Sequence, residues 1–459
     1  MTQPSHEPSG REPATVPPAG LSRTGIRWLA LCLAVVLAAG VGWLVLRPAR
    51  HGGSSTSNTA AEYAGPSQDE ISAVMQLLGR HAEELLRRDR PAWTADLDDA
   101  SAADGYTGQQ RAVFDNLAGV PLASWRYLLT APVTDPTVLE PAAQRLGGRV
   151  VVLHVQLEYG FALADPTPTA KGLWLTAVRR AGGWRLASDS DAAADGGASW
   201  HGPWDFGPLK VRSGPHTLVL AHPAHQADAA RFEPLVEAAV PVVTSVWGKD
   251  WNDHVVVLIP DTTAEFVAVS GDSADSHDLA AVAVADAVDP DGTVLGARVV
   301  LNPTTLSELD AAGRRLVVQH ELTHLASQAA TSDQMPTWLI EGFADYVGNL
   351  GSGQSVRTAA TELGAEIRRG VLPAALPTNA DFDGGNGRLA QVYEESWLAC
   401  RLIASRIGQQ GLVRFYKLVG SAARTDPGTA AALGLRQLLH TDLAAFTAAW
   451  RAALIAQLR

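Results

Sequence analysis

Arg315–Gly348 reads RLVVQHELTHLASQAATSDQMPTWLIEGFADYVG, and the organisation of the whole chain follows from this stretch. Within it, His320, Glu321 and His324 form an H-E-x-x-H pentad. Residues four apart share one face of a helix, so the two imidazoles can bind one metal ion while the carboxylate lies beside it. The spacing therefore predicts a metal-binding helix.

A third ligand is expected further along the chain, because a catalytic zinc site has three protein ligands and leaves a fourth position open for water. Glu341 is the candidate. It lies in a second apolar helical run, Trp338 to Val347, after a loop that contains Asp333 and Pro336. Two antiparallel helices joined by such a loop bring Glu341 opposite the histidines. Asp345, one turn further on, is placed to accept the outer N–H of a ligating histidine and fix its tautomer.

The five residues together resemble the gluzincin metallopeptidases, a superfamily that includes thermolysin-like and aminopeptidase N-like enzymes. The segment PTWLIEGFADY is most similar to the W-L-x-E-G-x-A-x-Y block of the aminopeptidase N-like and related peptidase MA-like proteins. The resemblance implies a Zn²⁺ ion held by His320, His324 and Glu341, with Asp345 behind a ligand. It also implies that Glu321 is the general base and that the substrate is a peptide or protein.

The alternative interpretation of the pentad is an amphipathic helix that carries two histidines by chance. Its apolar face would be formed by Leu316, Val317, Leu322 and Leu325. A core helix gains nothing by burying two imidazoles and a carboxylate along one edge, because unpaired polar groups cost free energy away from water. The metal-binding interpretation is therefore favoured.

Two further features bear on the type of peptidase. The segment V-Y-E-E-S-W is similar to the Y-E-K-G segment of the aminopeptidase N-like enzymes, which implies that Tyr393 donates a hydrogen bond to the oxyanion. A tyrosine at the edge of a core is the other interpretation of Tyr393, whereas Tyr346 is expected to serve packing. True aminopeptidases also carry a G-x-M-E-N block whose glutamate captures the free amino group, and VLGARVVLNP has no acid there. An endopeptidase is therefore expected.

Length and composition limit the function classes. The 459 residues are enough for two or three domains with substantial cores. The formal net charge of −12 argues against a protein that binds nucleic acid. Cys32 lies in an apolar N-terminal segment and Cys400 in a late helix, so no internal disulfide is expected. The abundance of Ala, Gly and Arg is typical of a GC-rich bacterial genome, and nothing predicts the oligomeric state.

Three segments precede the predicted folded part. Residues 1–25 are rich in Pro, Ser and Gly and predict a disordered cytoplasmic tail. Residues 26–47 contain nineteen uncharged residues from Trp28 to Leu46, which is long enough for a single transmembrane helix. Residues 48–66 are rich in Gly, Ser and Thr and predict a flexible linker.

A cleaved signal peptide and a buried core helix are the alternatives for residues 26–47. A signal peptide has a shorter apolar run and a small-residue cleavage site, and a core helix does not directly follow a disordered tail. Positive charges flank the run almost equally, so the short tail and the large folded part decide the expected orientation. We expect a single-pass protein of the cell membrane whose catalytic part lies outside the cytoplasm.

Residues 67–191 are predicted to form an α+β domain. Helical patterns come first, and strand patterns follow at 124–129, 149–161, 173–180 and 184–188. This order, which ends in RRAGGWRLASD, is similar to the nuclear-transport-factor-two-like (SnoaL-like) cone fold. His154 and Asp165 are the candidate catalytic pair of such a domain, although a strand histidine and a loop aspartate without chemistry are favoured.

Residues 205–459 are predicted to form a zinc metallopeptidase-like domain. Strand patterns at 209–221, 255–259, 280–286 and 297–301 predict a small mixed sheet, and helical patterns dominate beyond Glu341. The resemblance implies that the last strand lies along the active cleft, so Arg298–Leu301 is expected to be an edge strand that a peptide can join. The remaining histidines are predicted to be surface residues: His222, His225, His254, His277 and His440.

The sequence thus predicts an α+β chain with an N-terminal transmembrane helix, a cone-like domain and a gluzincin-type domain that hydrolyses peptide bonds. Two other function classes remain open. The first is a membrane-tethered binding or sensing protein whose metallopeptidase-like domain has no useful turnover. The second is a small-ligand-binding protein in which the cone-like domain carries the function and the zinc domain is an accessory protease.

Overall fold

The computed structural model describes residues 65–100, 105–271, 279–383, 387–422 and 426–459. The predicted tail at 1–25 and the predicted transmembrane helix at 26–47 lie outside these ranges, as does nearly all of the predicted linker. Within the described part of the chain, no helix is both long enough and apolar enough to cross a membrane. The described chain is α+β, as the sequence predicts.

The first part of the described chain is a four-stranded antiparallel sheet with helices packed on it. Its elements are α1 (Gln68–Leu86), α2 (Arg90–Ala95), α3 (Tyr106–Asn116), β1 (Leu122–Pro132), α4 (Pro136–Leu146), β2 (Val150–Phe161), β3 (Thr169–Arg180) and β4 (Gly183–Ser188). The strand order is β1-β2-β3-β4. A capping box starts α1, because Ser67 and Glu70 each accept the other's backbone N–H. The sequence predicted α1, α2 and the four strands but not α3 or α4.

A second, five-stranded sheet follows. Its elements and their neighbours are α5 (Pro203–Phe206), β5 (Lys210–Ser213), β6 (Thr217–Ala221), α6 (Gln226–Trp247), β7 (Val255–Ile259), α7 (Thr263–Ser270), β8 (Ala281–Val284), β9 (Ala287–Val288), β10 (Val294–Leu295) and β11 (Arg298–Leu301). The strand order is β5-β6-β7-β11-β8, in which β6, β7 and β11 are parallel and the two outer strands are antiparallel to their neighbours.

Two of the strand predictions are wrong in detail. The pattern at 209–221 is a hairpin rather than one strand, because the chain turns between β5 and β6, where the N–H of Gly214 donates to the carbonyl of Thr217. The predicted edge strand Arg298–Leu301 is β11, which lies between β7 and β8 and is buried along its whole length. The open edge on that side of the sheet is β8, because the chain passes through the β9–β10 hairpin and then returns inside β8.

The rest of the described chain is helical. Its helices are α8 (Pro303–Leu306), α9 (Ala311–Ser327), α10 (Thr337–Gly348), α11 (Val356–Ala359), α12 (Thr361–Arg368), α13 (Leu389–Ile407), α14 (Gln409–Ser421), α15 (Pro427–Leu439) and α16 (Leu443–Leu458). Helix α9 packs against α6 and β8, and α10 lies between α9 and α13.

The five-stranded sheet is covered on both faces. Alternate strand residues such as Val219, Val257 and Val299 share a core with α6, α9, α10 and the helices beyond. Their neighbours, including Val256 and Val300, pack on the opposite face into a second core that contains buried residues of the first part of the chain. Because side chains alternate across a strand, one run of β-branched residues supplies both cores. The two sheets are therefore joined by a continuous apolar interface.

A buried ion pair lies in this interface. Both terminal nitrogens of Arg298 on β11 donate to the carboxylate of Asp165, at 2.7 Å each, and both side chains are only 5 % exposed. The guanidinium also lies over the ring of Phe161, 5.0 Å from its centroid. The ring of His154 stacks on Trp174, with 4.1 Å between the ring centroids. Asp165 and His154 thus each have a structural partner, which agrees with the favoured interpretation that neither carries chemistry.

We expect Asp165→Ala to lower the free energy of unfolding by about 3–5 kcal/mol, because it leaves the Arg298 guanidinium buried without a counter-charge. Urea unfolding followed by tryptophan fluorescence measures the change. Asp115→Ala is the matched control, since Asp115 pairs with Arg90 where both side chains are about half exposed. An equal loss of stability in the two variants would show that the buried pair contributes no more to stability than the exposed pair.

Candidate metal centre

Helix α9 presents the H-E-x-x-H pentad in the interior. Its first turn is capped by Asp310, whose carboxylate accepts the N–H of Gly313 at 2.7 Å. His320, Glu321 and His324 are each 4 % exposed or less. Apolar residues of α9 on either side of the pentad pack into the core with the sheet and α10. The local sequence therefore favours a helix, and the packing of this helix buries the polar residues of the pentad.

Helix α10 brings Glu341 opposite the two histidines. Oε2 of Glu341 is 3.3 Å from Nε2 of His320 and 3.6 Å from Nε2 of His324. The two Nε2 atoms are 2.9 Å apart. Ligand atoms bound at about 2.1 Å to a tetrahedral zinc ion lie about 3.4 Å from one another, which is close to these three separations. The predicted ligands thus converge at the spacing that zinc requires.

The surroundings of the three ligand atoms also fit a metal ion. Nδ1 of His320 is 2.9 Å from Oδ1 of Asp345. A proton on Nδ1 leaves the lone pair on Nε2, which faces His324 and Glu341. Oε2 of Glu341 is buried and accepts no hydrogen bond within the described residues. A buried carboxylate oxygen without a partner is costly, and a cation at this point would satisfy it.

Carboxylates dominate the electrostatics of the site. Burial lowers the pKa of His320, but the Asp345 and Glu341 carboxylates outweigh burial and raise it well above its usual value. Burial opposes ionisation of Glu341, yet the neighbouring imidazoles lower its pKa to about 2. Burial raises the pKa of both Glu321 and Asp345. Surroundings that stabilise a positive charge on an imidazole also stabilise a bound dication.

Glu321 is held by the edge strand of the sheet. The backbone N–H of Ala283 in β8 donates to Oε2 of Glu321 at 2.7 Å. No described residue donates a hydrogen bond to the other oxygen, Oε1. The sequence did not predict this contact, because a backbone N–H has no residue-type signal and β8 was not identified as the edge.

Tyr393 lies on α13, the helix that packs against α10. Gly342, next to Glu341, allows this proximity, because a Cβ atom at position 342 would lie 2.4 Å from the backbone oxygen of Ser396. Ser396 is one turn beyond Tyr393. The Tyr393 side chain is 1 % exposed and meets the ring of Phe382 edge-on. The catalytic role of Tyr393 stays a prediction.

The surface prediction for the remaining histidines is wrong for His222, which is 4 % exposed. Its Nε2 is 2.8 Å from Glu265 and its Nδ1 is 3.1 Å from the Pro208 carbonyl. The single-residue pattern missed this pair because Glu265 lies 43 residues further on. His254 is partly exposed and groups with His216 and Asp253, whereas His277 lies outside the described residues.

A cavity of about 980 Å³ lies at the end of α9, beyond the pentad. Its lining includes Trp247, Trp251, Ala326 and Lys417. None of the predicted metal ligands contributes to this lining, and neither does Glu321. The cavity is therefore not formed by the predicted metal centre.

We expect Gly342→Ala to weaken zinc binding and to lower stability by about 1–3 kcal/mol, because the added methyl group meets the backbone of α13 and pushes α10 away from it. Calorimetric zinc titration and urea unfolding measure the two effects. Gly79→Ala is the matched control, since Gly79 is an exposed helical glycine with open space around it. That change is expected to raise stability by about 0.5–1 kcal/mol. Unaltered zinc binding in Gly342→Ala would contradict the argument.

Asp345→Asn keeps the shape of the side chain and removes its charge. We expect about a 10- to 100-fold loss of zinc affinity, because the neutral amide is a weaker acceptor than the carboxylate and its NH2 group can donate to Nδ1 in place of accepting from it. Competition with a chromogenic chelator measures the affinity. Asp333→Asn, in the exposed loop between α9 and α10, serves as the control and is expected to bind zinc like the unmodified chain.

No family model matches the chain, and no curated protein matches its sequence. Three solved structures of M1 zinc metallopeptidase mutants are similar to part of it. One is a two-domain enzyme bound to L-arginine (15 % identity, TM-score 0.34), one is from Deinococcus radiodurans (16 %, 0.34) and one is from the same organism bound to Tyr-Ser-Ala (17 %, 0.31). Each similarity covers 55 % of this chain and 52 % of the solved one. The chain thus spans about half the length of these structures, and a likeness this slight carries no argument about function.

Proposed function

We propose that the chain is a membrane-anchored, zinc-dependent metallopeptidase that hydrolyses peptide bonds. The convergence of His320, His324 and Glu341 supports this most directly, because their ligand atoms all lie within 4.8 Å of one another in the interior. Asp345 supports it as the residue that orients His320. A zinc ion held by these residues would act as a Lewis acid and would lower the pKa of a bound water from about 15.7 to about 7.

Glu321 is the proposed general base. Glu321 directly follows His320 on α9, and the Ala283 N–H donates a hydrogen bond that holds its Oε2 in place. Oε1 then accepts the proton of the attacking water and returns it to the leaving amine. The raised pKa that burial gives to Glu321 suits this role, because a base must take up a proton readily and release it again.

Tyr393 is the proposed hydrogen-bond donor to the oxyanion. It lies one turn from Ser396, the residue that meets Gly342 beside Glu341. Its two acidic neighbours already have structural partners. Glu394 accepts backbone N–H groups at the start of α12, and Glu395 pairs with Arg388. A phenol in this position contributes a hydrogen bond in a dry site, where such bonds are strong.

An endopeptidase is the proposed type. The edge strand β8 is the strand that a substrate backbone can join, and its residues are Ala, Val, Ala and Val. The nearest acid in sequence, Asp286, accepts hydrogen bonds from Thr169 and Lys171 of β3. A carboxylate engaged in this way is a poor receptor for the free amino group of a substrate.

The remaining features of the proposal concern location and domain organisation. We retain a single transmembrane helix at 26–47 and a catalytic part outside the cytoplasm, both on the sequence pattern alone. We also retain a division into a cone-like domain at 67–191 and a metallopeptidase domain at 205–459. The two sheets share a continuous apolar core, so the two parts pack against each other.

Glu321→Gln is expected to retain zinc and to lose at least about 100-fold of peptidase activity, since a general base contributes about 10²- to 10⁴-fold. His320→Ala is expected to lose both zinc and activity. Metal analysis and digestion of a peptide library, half of it N-acetylated, provide the measurements. Cleavage of the acetylated half is expected for an endopeptidase. Bound zinc without cleavage of any peptide by the unmodified chain would instead indicate a binding or sensing protein.

Tyr393→Phe is expected to lower kcat by about 100-fold or more with little change in KM, because the lost hydrogen bond forms only as charge develops on the carbonyl oxygen. Steady-state kinetics on a peptide from the library gives both constants. Tyr346→Phe removes the same atom from the half-buried tyrosine on α10 and is expected to leave kcat unchanged. Equal kinetics for the two variants would make Tyr393 a packing residue.

A further inference from the structure

A second group of metal-ligating side chains lies far from α9 in the sequence, in the first part of the described chain. His81 and Glu84 are three residues apart on α1 and therefore lie on one face of that helix. Asp96 caps the end of α2. One ligand atom of each residue lies within 4.8 Å of the other two. Nδ1 of His81 is 3.9 Å from Oδ2 of Asp96.

The polar atoms of this group are buried without partners. His81 is 1 % exposed, and neither of its ring nitrogens has a hydrogen bond within the described residues. Oε2 of Glu84 and Oδ2 of Asp96 are likewise buried and without a hydrogen-bond partner. Each such atom costs about 1–3 kcal/mol when nothing satisfies it. Four of them on three converging side chains indicate that a ligand belongs between these residues.

The histidine ring is held ready to bind. It stacks on Trp93, with 3.4 Å between ring centroids and 18° between planes. Burial, helped by the nearby Arg80, lowers the pKa of His81 to about 3, so the ring is neutral and keeps a free lone pair at physiological pH. Arg80 donates to Asp96 at 3.3 Å, but its side chain is 56 % exposed and can turn into solvent.

The two carboxylates repel each other in the absence of a cation. Burial and the nearby Asp96 raise the pKa of Glu84 to about 7. Burial also raises the pKa of Asp96. A dication between them would compensate both negative charges.

We propose that His81, Glu84 and Asp96 form a second metal site that binds a divalent first-row transition metal. One imidazole nitrogen and two carboxylate oxygens suit zinc, iron(II) or manganese(II), and zinc binds tightly among divalent ions. The ion ties α1 to the end of α2 and so stabilises the helical layer on the four-stranded sheet. The site is separate from the His320 centre and does not depend on the proposed peptidase function.

The test uses the full chain with His320→Ala and His324→Ala, so that the first centre is removed. After chelation and dialysis, Zn²⁺ is titrated by calorimetry, and Co²⁺ is titrated with detection of its visible absorption. We expect one equivalent to bind and to raise Tm. Adding Glu84→Gln is expected to abolish that equivalent and the rise in Tm. Adding Glu83→Gln, the matched control one residue earlier on the exposed face, is expected to change neither.

His81→Phe, which keeps a ring against Trp93, provides a second variant should Glu84→Gln alter the fold, as judged by far-ultraviolet circular dichroism. It is also expected to lose the equivalent of metal. The proposal is overturned if the doubly substituted chain binds no Zn²⁺. It is equally overturned if the Glu83 and Glu84 variants bind the same amount.

Discussion

The close approach of α9 and α10 is the constraint on which the structure depends. It places two imidazoles and the carboxylates of Glu321, Glu341 and Asp345 together in a dry interior. Such a group of charges is unfavourable unless the charges are paired. Gly348 allows α10 to pack closely on α9, because a Cβ atom there would lie 3.3 Å from the backbone oxygen of Leu316. Gly342 allows the same helix to pack on α13, where a Cβ atom would collide with the backbone oxygen of Ser396. Packing thus supplies the geometry, and a bound cation would supply the missing positive charge.

The edge of the sheet connects this centre to the first part of the chain. Ala283 in β8 donates to Glu321, and three residues further on Asp286 is held by Thr169 and Lys171 of β3. The buried Arg298 pair lies in the same interface. The four-stranded sheet therefore fixes the position of the strand that holds the proposed general base.

Local periodicity predicted most of the fold and the candidate ligand set. The helical spacing of His320, His324, Glu341 and Asp345 is a property of two short segments, so it could be recognised without tertiary information. The patterns also located nearly every long helix. The patterns failed at His222, because its burial depends on Glu265, which belongs to another element. They also missed α3, whose polar sequence gives only a weak helical pattern.

The sequence alone determined that His320 and His324 share one helical face and that Glu341 and Asp345 share another, because the period of an α-helix fixes which side chains lie together. Only the tertiary structure decided that β8 forms the sheet edge and that its backbone holds Glu321. It also decided that His81, Glu84 and Asp96 converge. The physical reason is that strand order and contacts between separate elements depend on the packing of distant surfaces, which no local pattern of residues encodes.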